Sequence, residues 1–169
     1  MKKLITKGMS GEPVVCPGNS KAVSIIHLEM VRENRSLYGM GKFDTPESAA
    51  SMAAPLFERT DREMVAVLSV SMNMEPLAME IVAVGGLNAC YVDIKNIFKH
   101  ALLSNAGYVI CFHNHPSGET KPSPEDELLT RRMQEVGQML DIPLLDHIIL
   151  GSEGFYSFRE NCAWDKVPA

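Results

Sequence analysis

The stretch that decides the fold is residues 108–126, "YVICFHNHPSGETKPSPED". Its apolar beginning favours a buried strand, and the Pro, Ser and Gly residues that follow favour a turn. Ser123 then fits a helix N-cap, with Pro124 at the first helical position and Asp126 at the third. The stretch therefore predicts a strand, a turn and a helix, with polar side chains where the strand ends.

Further helices and strands are predicted on both sides of this stretch. Thr45-Pro46-Glu47 looks like the start of a helix that ends near residue 59, and apolar residues at helical spacing indicate another at 94–102. β-branched and apolar segments indicate strands. The predicted strands are 22–31, 64–70, 77–86, 144–151 and 155–160.

Alternating helices and strands predict an α/β fold, a three-layer sandwich in which a mixed β-sheet is flanked by helices. The 169 residues, 46% of them apolar, are enough for one domain with one core. We predict a flexible N-terminal arm at residues 1–20, because glycines and prolines interrupt any periodicity there. The domain is then expected at 21–163, followed by a C-terminal tail at 164–169.

Composition excludes several classes of protein. A formal net charge of −5 argues against nucleic acid as a strong direct ligand, since such proteins carry a basic face. The four cysteines are scattered and include no C-x-x-C pair, which favours reduced thiols and a cytoplasmic location. No apolar run approaches a signal-peptide core or a membrane span, so no membrane association is predicted.

The strand at 108–115 predicts a metal site at its end. Because side chains alternate across a strand, Cys111, His113 and His115 should share one face. The turn brings the chain back, so that Asp126 in the first turn of the next helix points toward the two imidazoles. Two nitrogens, one carboxylate oxygen and a free fourth position describe a catalytic zinc site, with one Zn²⁺ per chain. The alternative is a hydrogen-bonded pair of core histidines, and Cys111 is expected to be a small buried side chain.

With these residues in place, the sequence resembles the RadC branch of the JAB/MPN zinc metallopeptidases. The signature of that family is a distant Glu followed by H-x-H-x7-S-x2-D, and "GGLN" (85–88), "FKHALLSNA" (98–106) and "LLDHIILG" (144–151) also resemble RadC-family segments. The resemblance implies the JAB/MPN, cytidine deaminase-like architecture. Two departures are expected: residues 1–20 are too short and too loop-like for the helix-hairpin-helix segment that usually precedes the domain, and "VDIK" (92–95) stands where many members have His-Pro.

The resemblance also implies a role for each residue of the signature. His113, His115 and Asp126 would bind Zn²⁺, Ser123 would help to bind the oxyanion of the tetrahedral intermediate, and Glu63 would be the general base. A carboxylate suits that role because it can take a proton from the attacking water and return it to the leaving amine.

Each of these roles has a simpler alternative. Glu63 can be an exposed carboxylate at a strand start, and only the family match distinguishes it from Glu58, Glu75 and Glu80. Ser123 can serve as a helix cap alone. The remaining histidines have no partners at ligand spacing and are predicted to be packed or solvent-facing; they are His27, His100 and His147.

The leading interpretation is a zinc-dependent hydrolase of peptide or isopeptide bonds, acting on a peptide or protein substrate. One alternative is a JAB/MPN scaffold or binding module without turnover, and another is a DNA-processing accessory protein. The string "HNH" is not the nuclease motif, which spreads its residues over a longer hairpin and helix. A zinc deaminase is excluded, because it needs a P-C-x-x-C segment. The sequence leaves the oligomeric state open.

Overall fold

The computed structural model of the chain describes residues 25–27, 29–31, 44–58, 60–85 and 92–161. Within these residues the chain forms helices and strands that alternate along most of its length. In chain order they are α1 (Pro46–Phe57), β1 (Met64–Val70), β2 (Pro76–Val84), α2 (Ile94–Leu103), β3 (Tyr108–Asn114), α3 (Pro124–Met139), β4 (Leu144–Leu150), β5 (Phe155–Ser157) and α4 (Phe158–Asn161).

The five strands form one sheet in the order β2-β1-β3-β4-β5. Strands β3 and β4 run parallel, and all the other neighbours are antiparallel. The sheet is therefore mixed, as predicted. The connections between strands account for the two directions of pairing. A short turn joins β1 to β2 and allows antiparallel pairing, whereas the crossover through α3 allows β3 and β4 to run parallel.

Helices cover both faces of the sheet. Helix α1 packs on one face against side chains such as Ala66, Leu68 and Phe112. Helices α2 and α3 pack on the other face, where Phe98 and Met133 lie against strand residues. The predicted α/β sandwich is confirmed, and the inner strand β1 is buried along its whole length because it has neighbours on both edges and both faces.

The predicted helix starts are confirmed by the capping contacts. Thr45 caps α1 and Ser123 caps α3, each through a capping box in which the side chains at the cap and at the third helical position bond each other's backbone N–H. In the described part of the chain, none of the helices is both long and apolar enough to cross a membrane.

Two predicted strands are wrong in part. Residues 25–27 and 29–31 form neither helix nor strand and are exposed, with Ile25 at 94%. β-Branched residues favour a strand only when a neighbouring strand and a buried face are available, and the described residues have neither. The rest of that segment lies outside the described residues, as do the predicted arm at 1–20 and tail at 164–169.

The predicted strand at 155–160 is strand only as far as Ser157, and α4 follows. The Ser157 hydroxyl accepts a hydrogen bond from the backbone N–H of Glu160 at 3.2 Å, and the Ser157 carbonyl accepts one from the side-chain Nδ2 of Asn161 at 3.0 Å. The bond from Glu160 is typical of a helix N-cap, so the serine begins a helical turn where apolar character suggested a longer strand.

Candidate metal centre

The end of β3 brings three predicted ligands together. His113 is the penultimate residue of β3 and is buried. His115 follows the strand and is half-buried. Asp126 is buried in the first turn of α3. Cys111 and Phe112 contribute to cores on opposite faces of the sheet, as strand alternation predicts. His113 therefore lies on the face that α3 covers.

The donor atoms of these three side chains converge on one point. The Nε2 atoms of His113 and His115 are 3.0 Å apart. One carboxylate oxygen of Asp126, Oδ1, lies 3.2 Å from Nε2 of His113, and the other, Oδ2, lies 3.3 Å from Nε2 of His115. One ligand atom from each residue lies within 4.8 Å of the others, which is the spacing that a single metal ion requires.

Both imidazoles are held through their other nitrogen. Nδ1 of His115 donates to the carbonyl oxygen of Glu119 at 2.9 Å, and Nδ1 of His113 lies 2.8 Å from Nε2 of His147. A histidine that binds a metal usually makes such a bond with its second nitrogen, which orients the ring. Two imidazole nitrogens and one carboxylate are the ligand set of many catalytic zinc sites, so the residues present fit zinc.

Electrostatics favour the ionised carboxylate that a metal needs. Burial raises the pKa of Asp126, but the neighbouring imidazoles of His113 and His115 and the Ser123 hydroxyl stabilise its ionised form more strongly and hold the pKa well below its usual range. The hydrogen bond to Asp126 raises the pKa of His115, although burial lowers it, and the charge of Glu63 also raises it. The Asp126 carboxylate is therefore in the charge state that a metal ligand needs.

Ser123 orients Asp126. Its hydroxyl donates to Oδ2 of Asp126 at 2.6 Å, and its backbone N–H donates to the same oxygen at 2.7 Å. The Ser123 oxygen in turn accepts from the backbone N–H of Asp126 at 3.1 Å. The predicted cap is therefore present, and its hydroxyl proton points at the carboxylate.

Glu63 immediately precedes β1 and is half-buried. Val65 pairs with His113 in the antiparallel register of β1 and β3. The pairing ends there, but the same register continued by two residues would place Glu63 opposite His115 and on the same face of the sheet. Its charge contributes to the raised pKa of His115, which agrees with this position.

Two of the other three candidate carboxylates lie away from the histidines, and the third lies near His115 on the α1 side. Glu75 is in the turn between β1 and β2, at the end of β1 that is remote from Glu63. Glu80 lies in the middle of β2, opposite Val67. Glu58 caps the C-terminus of α1 and lines a groove that also contains His115.

Asn114 fixes the segment that carries Glu63, a contact that sequence reasoning missed. Its Oδ1 accepts from the backbone N–H of Met64 at 2.9 Å, while its Nδ2 donates to the Thr60 hydroxyl at 3.0 Å and to the Arg62 carbonyl at 3.2 Å. Asn114 points to the face of β3 opposite the imidazoles, as strand alternation predicts. Its hydrogen-bond partners lie 50 or more residues away in the sequence, so no local sequence pattern predicts these contacts.

The three remaining histidines are packed or exposed, as predicted. His27 is exposed, and His100 is buried with its Nδ1 2.9 Å from the Ser69 hydroxyl. His147 is fully buried, but it is also the hydrogen-bond partner of His113. Burial lowers the pKa of both His100 and His147. Spacing along the sequence gave no sign of the contact between His147 and His113.

A groove of about 490 Å³ opens beside His115. One wall is the α1 side, with Ala54 and Phe57, and the other is formed by the turn after β4 and the start of β5, with Ser152 and Phe155. The lining is part polar and part apolar, so it can contact both backbone and side chains of a bound chain.

A mixed sheet between helical layers, with two histidines at the end of β3 and an aspartate at the start of α3, defines an α/β sandwich of the JAB type. The model of the "RadC-like JAB domain" family matches residues 43–163. This chain belongs to that family.

Similar proteins carry the name UPF0758. One from Roseiflexus castenholzii is 39% identical over 116 residues, which are 69% of this chain and 50% of the relative. One from Desulforudis audaxviator is 41% identical over 115 residues, 68% of this chain and 50% of the relative. One from Bacillus licheniformis is 37% identical over 146 residues, 85% of this chain and 65% of the relative. The chain thus spans about half the length of the first two of these relatives.

Proposed function

We propose that this protein is a zinc-dependent hydrolase that cleaves peptide or isopeptide bonds in a peptide or protein substrate. The observation that carries the proposal is the convergence of Nε2 of His113, Nε2 of His115 and the Asp126 carboxylate, with both imidazoles held at Nδ1. A hydrogen-bonded pair of core histidines has no need to direct both Nε2 atoms toward one carboxylate.

His113, His115 and Asp126 would hold one Zn²⁺ per chain. When bound, zinc would act as a Lewis acid on the scissile carbonyl and make an attacking water more acidic. The low pKa of Asp126 keeps its carboxylate ionised, and the bonds at Nδ1 keep the rings of both histidines directed at the same point.

Glu63 is proposed as the general base. From its position opposite His115 it would accept a proton from the attacking water and pass it to the leaving amine. The Ser123 hydroxyl would donate a hydrogen bond to the developing oxyanion. This requires the hydroxyl to turn away from Oδ2 of Asp126, to which it donates in this structure. The serine would then act both as the cap of α3 and as a catalytic donor.

The groove beside His115 would hold the substrate. Its volume of about 490 Å³ suits a short extended segment of polypeptide, and its mixed lining suits backbone and side chains together. The formal net charge of −5 supports a protein or peptide partner over nucleic acid. The cysteine pattern supports a cytoplasmic location as part of the same proposal.

The proposal is tested with Glu63→Gln, which removes the base and keeps the size of the side chain. We expect zinc content and fold to be retained and hydrolysis of a peptide and isopeptide library to fall by roughly 100-fold or more. Glu75→Gln is the matched control, because Glu75 lies at the other end of β1, and it should retain full turnover.

Two outcomes would contradict the proposal. Equal turnover by wild type and Glu63→Gln at matched zinc content would remove Glu63 as the base. No turnover by zinc-loaded wild type on any member of the library would favour a scaffold. His115→Ala completes the set, since loss of one ligand should lower zinc content, and unchanged zinc would exclude this site as the metal centre.

A further inference from the structure

We infer that Thr130 and His147 are positioning residues that fix the proton of His113 on Nδ1 and leave its Nε2 lone pair directed at the metal site. The inference deepens the proposed function and rests on the same metal site. It concerns two side chains behind the ligands, both buried on the α3 side of the sheet, and it can be tested in the metal-free protein.

The contacts form a continuous chain of four groups. The Thr130 hydroxyl donates to the backbone carbonyl of Asp126 at 2.7 Å. The same hydroxyl oxygen lies 2.7 Å from Nδ1 of His147. Nε2 of His147 lies 2.8 Å from Nδ1 of His113. The chain therefore joins the backbone of one candidate ligand, Asp126, to the ring of another, His113.

Counting protons along this chain gives one arrangement in which every contact is a hydrogen bond. A carbonyl oxygen only accepts, so the single hydroxyl proton of Thr130 goes to Asp126. The Thr130 oxygen must then accept from His147, which places the proton of His147 on Nδ1. In a neutral imidazole the other nitrogen is an acceptor, so Nε2 of His147 accepts a proton from Nδ1 of His113.

The surroundings of His147 favour its neutral form. The side chain is fully buried and its ring stacks on Phe158, with ring centroids 4.8 Å apart. The neighbouring Asp146 carboxylate is occupied by the backbone N–H groups of His147 and Arg159 and by the Ser157 hydroxyl. An imidazolium buried without a carboxylate against its ring is unfavourable, so His147 accepts at Nε2.

The opposite direction of the chain would make the metal compete with a proton. If the proton of His147 were on Nε2, that nitrogen would donate to Nδ1 of His113. His113 would then carry its own proton on Nε2, between His115 and Asp126, where the ion must bind. The Thr130 hydroxyl would have to donate to His147, leaving its oxygen against the Asp126 carbonyl at 2.7 Å with no proton between them. Thr130 thus favours the arrangement in which Nε2 of His113 is free to bind a metal over the one in which the metal must displace a proton.

The test compares Thr130→Val, which removes the hydroxyl at nearly constant shape, with Thr130→Ser, which keeps it. Long-range ¹H–¹⁵N NMR of metal-free protein in alkaline buffer reports which ring nitrogen carries each proton. We expect Nδ1 protonation of both His113 and His147 in wild type and Thr130→Ser. In Thr130→Val we expect the His113 proton to move to Nε2, and zinc affinity to fall about 10- to 100-fold.

Several results would overturn the inference. Wild-type His113 with its proton on Nε2 would do so without any variant, which keeps the test decisive even if Thr130→Val fails to fold. An unchanged proton position in folded Thr130→Val, or equal zinc affinity in Val and Ser variants, would do so as well. If zinc binds none of the proteins, the proposed metal function fails, whereas the proton positions in the metal-free protein still decide the role of Thr130.

Discussion

Replacing Asn114 by Ala should remove the hydrogen bonds that hold the segment of the candidate base, Glu63, and should leave the contacts that hold the metal ligands unchanged. The Asn114 side chain is 7% exposed and makes three hydrogen bonds to the segment of residues 60–64. Alanine removes all three bonds. It leaves His113 and its partners untouched, because the side chain of Asn114 lies on the other face of β3.

The expected loss of stability follows from these contacts. A typical hydrogen bond contributes about 1 kcal/mol net, and a buried donor left without a partner costs about 1–3 kcal/mol. Met64 is 6% exposed and its N–H would lose the Asn114 acceptor, while the Thr60 and Arg62 acceptors lie nearer to solvent. We therefore expect Asn114→Ala to lower the free energy of unfolding by about 2–4 kcal/mol.

Urea unfolding of the metal-free protein measures this loss, and Asn73→Ala is the matched control. Asn73 is exposed in the turn between β1 and β2, and the hydrogen bond there comes from its backbone N–H, so its replacement should change stability by no more than about 0.5 kcal/mol. If Asn114→Ala also stays within about 0.5 kcal/mol of wild type, the three bonds do not hold the segment.

The same variant has a functional readout. Zinc stoichiometry should stay at the wild-type value, because no ligand and no partner of a ligand has changed. Hydrolysis should fall, because Glu63 would no longer be fixed opposite His115. A loss of zinc in a folded Asn114→Ala protein would refute the separation of the two supports.

Two further predictions follow from the cap of α3 and from a buried histidine. Ser123→Ala should lower the free energy of unfolding by about 1 kcal/mol, because the cap bond to the Asp126 N–H is lost. It should also weaken zinc binding, because Asp126 loses the hydrogen bond from the Ser123 hydroxyl. Urea unfolding and zinc titration measure the two effects, and Ser123→Thr should largely restore both. Burial lowers the pKa of His100. Below about pH 6.5 the unfolded chain therefore binds a proton that folded His100 does not bind, and the free energy of unfolding decreases as the pH is lowered. Metal-free His100→Asn should lose less stability than wild type between about pH 7.5 and 5.5, and parallel pH profiles would contradict this.

The parts of the fold that could be predicted from the sequence are those set by local signals. Strand β1 is predicted at 64–70 and occupies Met64–Val70, because a short and mostly apolar run bounded by polar residues favours a buried strand. The caps Thr45 and Ser123 set the starts of α1 and α3, since a capping box needs only residues three positions apart.

The parts that could not be predicted depend on which elements become neighbours. His147 reaches His113 because β3 and β4 pair in parallel with Cys111 opposite His147. Asn114 reaches Met64 because β1 and β3 pair antiparallel. No local sequence pattern predicts either register. His147 is therefore predicted only as a packed or solvent-facing residue, and Asn114 receives no role in the sequence analysis. The strand predicted at 22–31 is wrong in its described residues for the same reason, because apolar pattern alone does not supply a neighbouring strand.

The two supports of the candidate site come from consecutive residues of one strand. The ring of His113 is held on the α3 side by His147, while Asn114 holds the Glu63 segment from the α1 side. Because neighbouring side chains in a strand point to opposite faces, both contacts depend on the same register of β3, and a slip of one residue would exchange the two faces and abolish both. The contacts themselves share no side chain. Metal binding and proton transfer can therefore be lost separately, so a related chain that keeps His113, His115 and Asp126 but lacks the equivalent of Asn114 would bind the ion without holding the base in place.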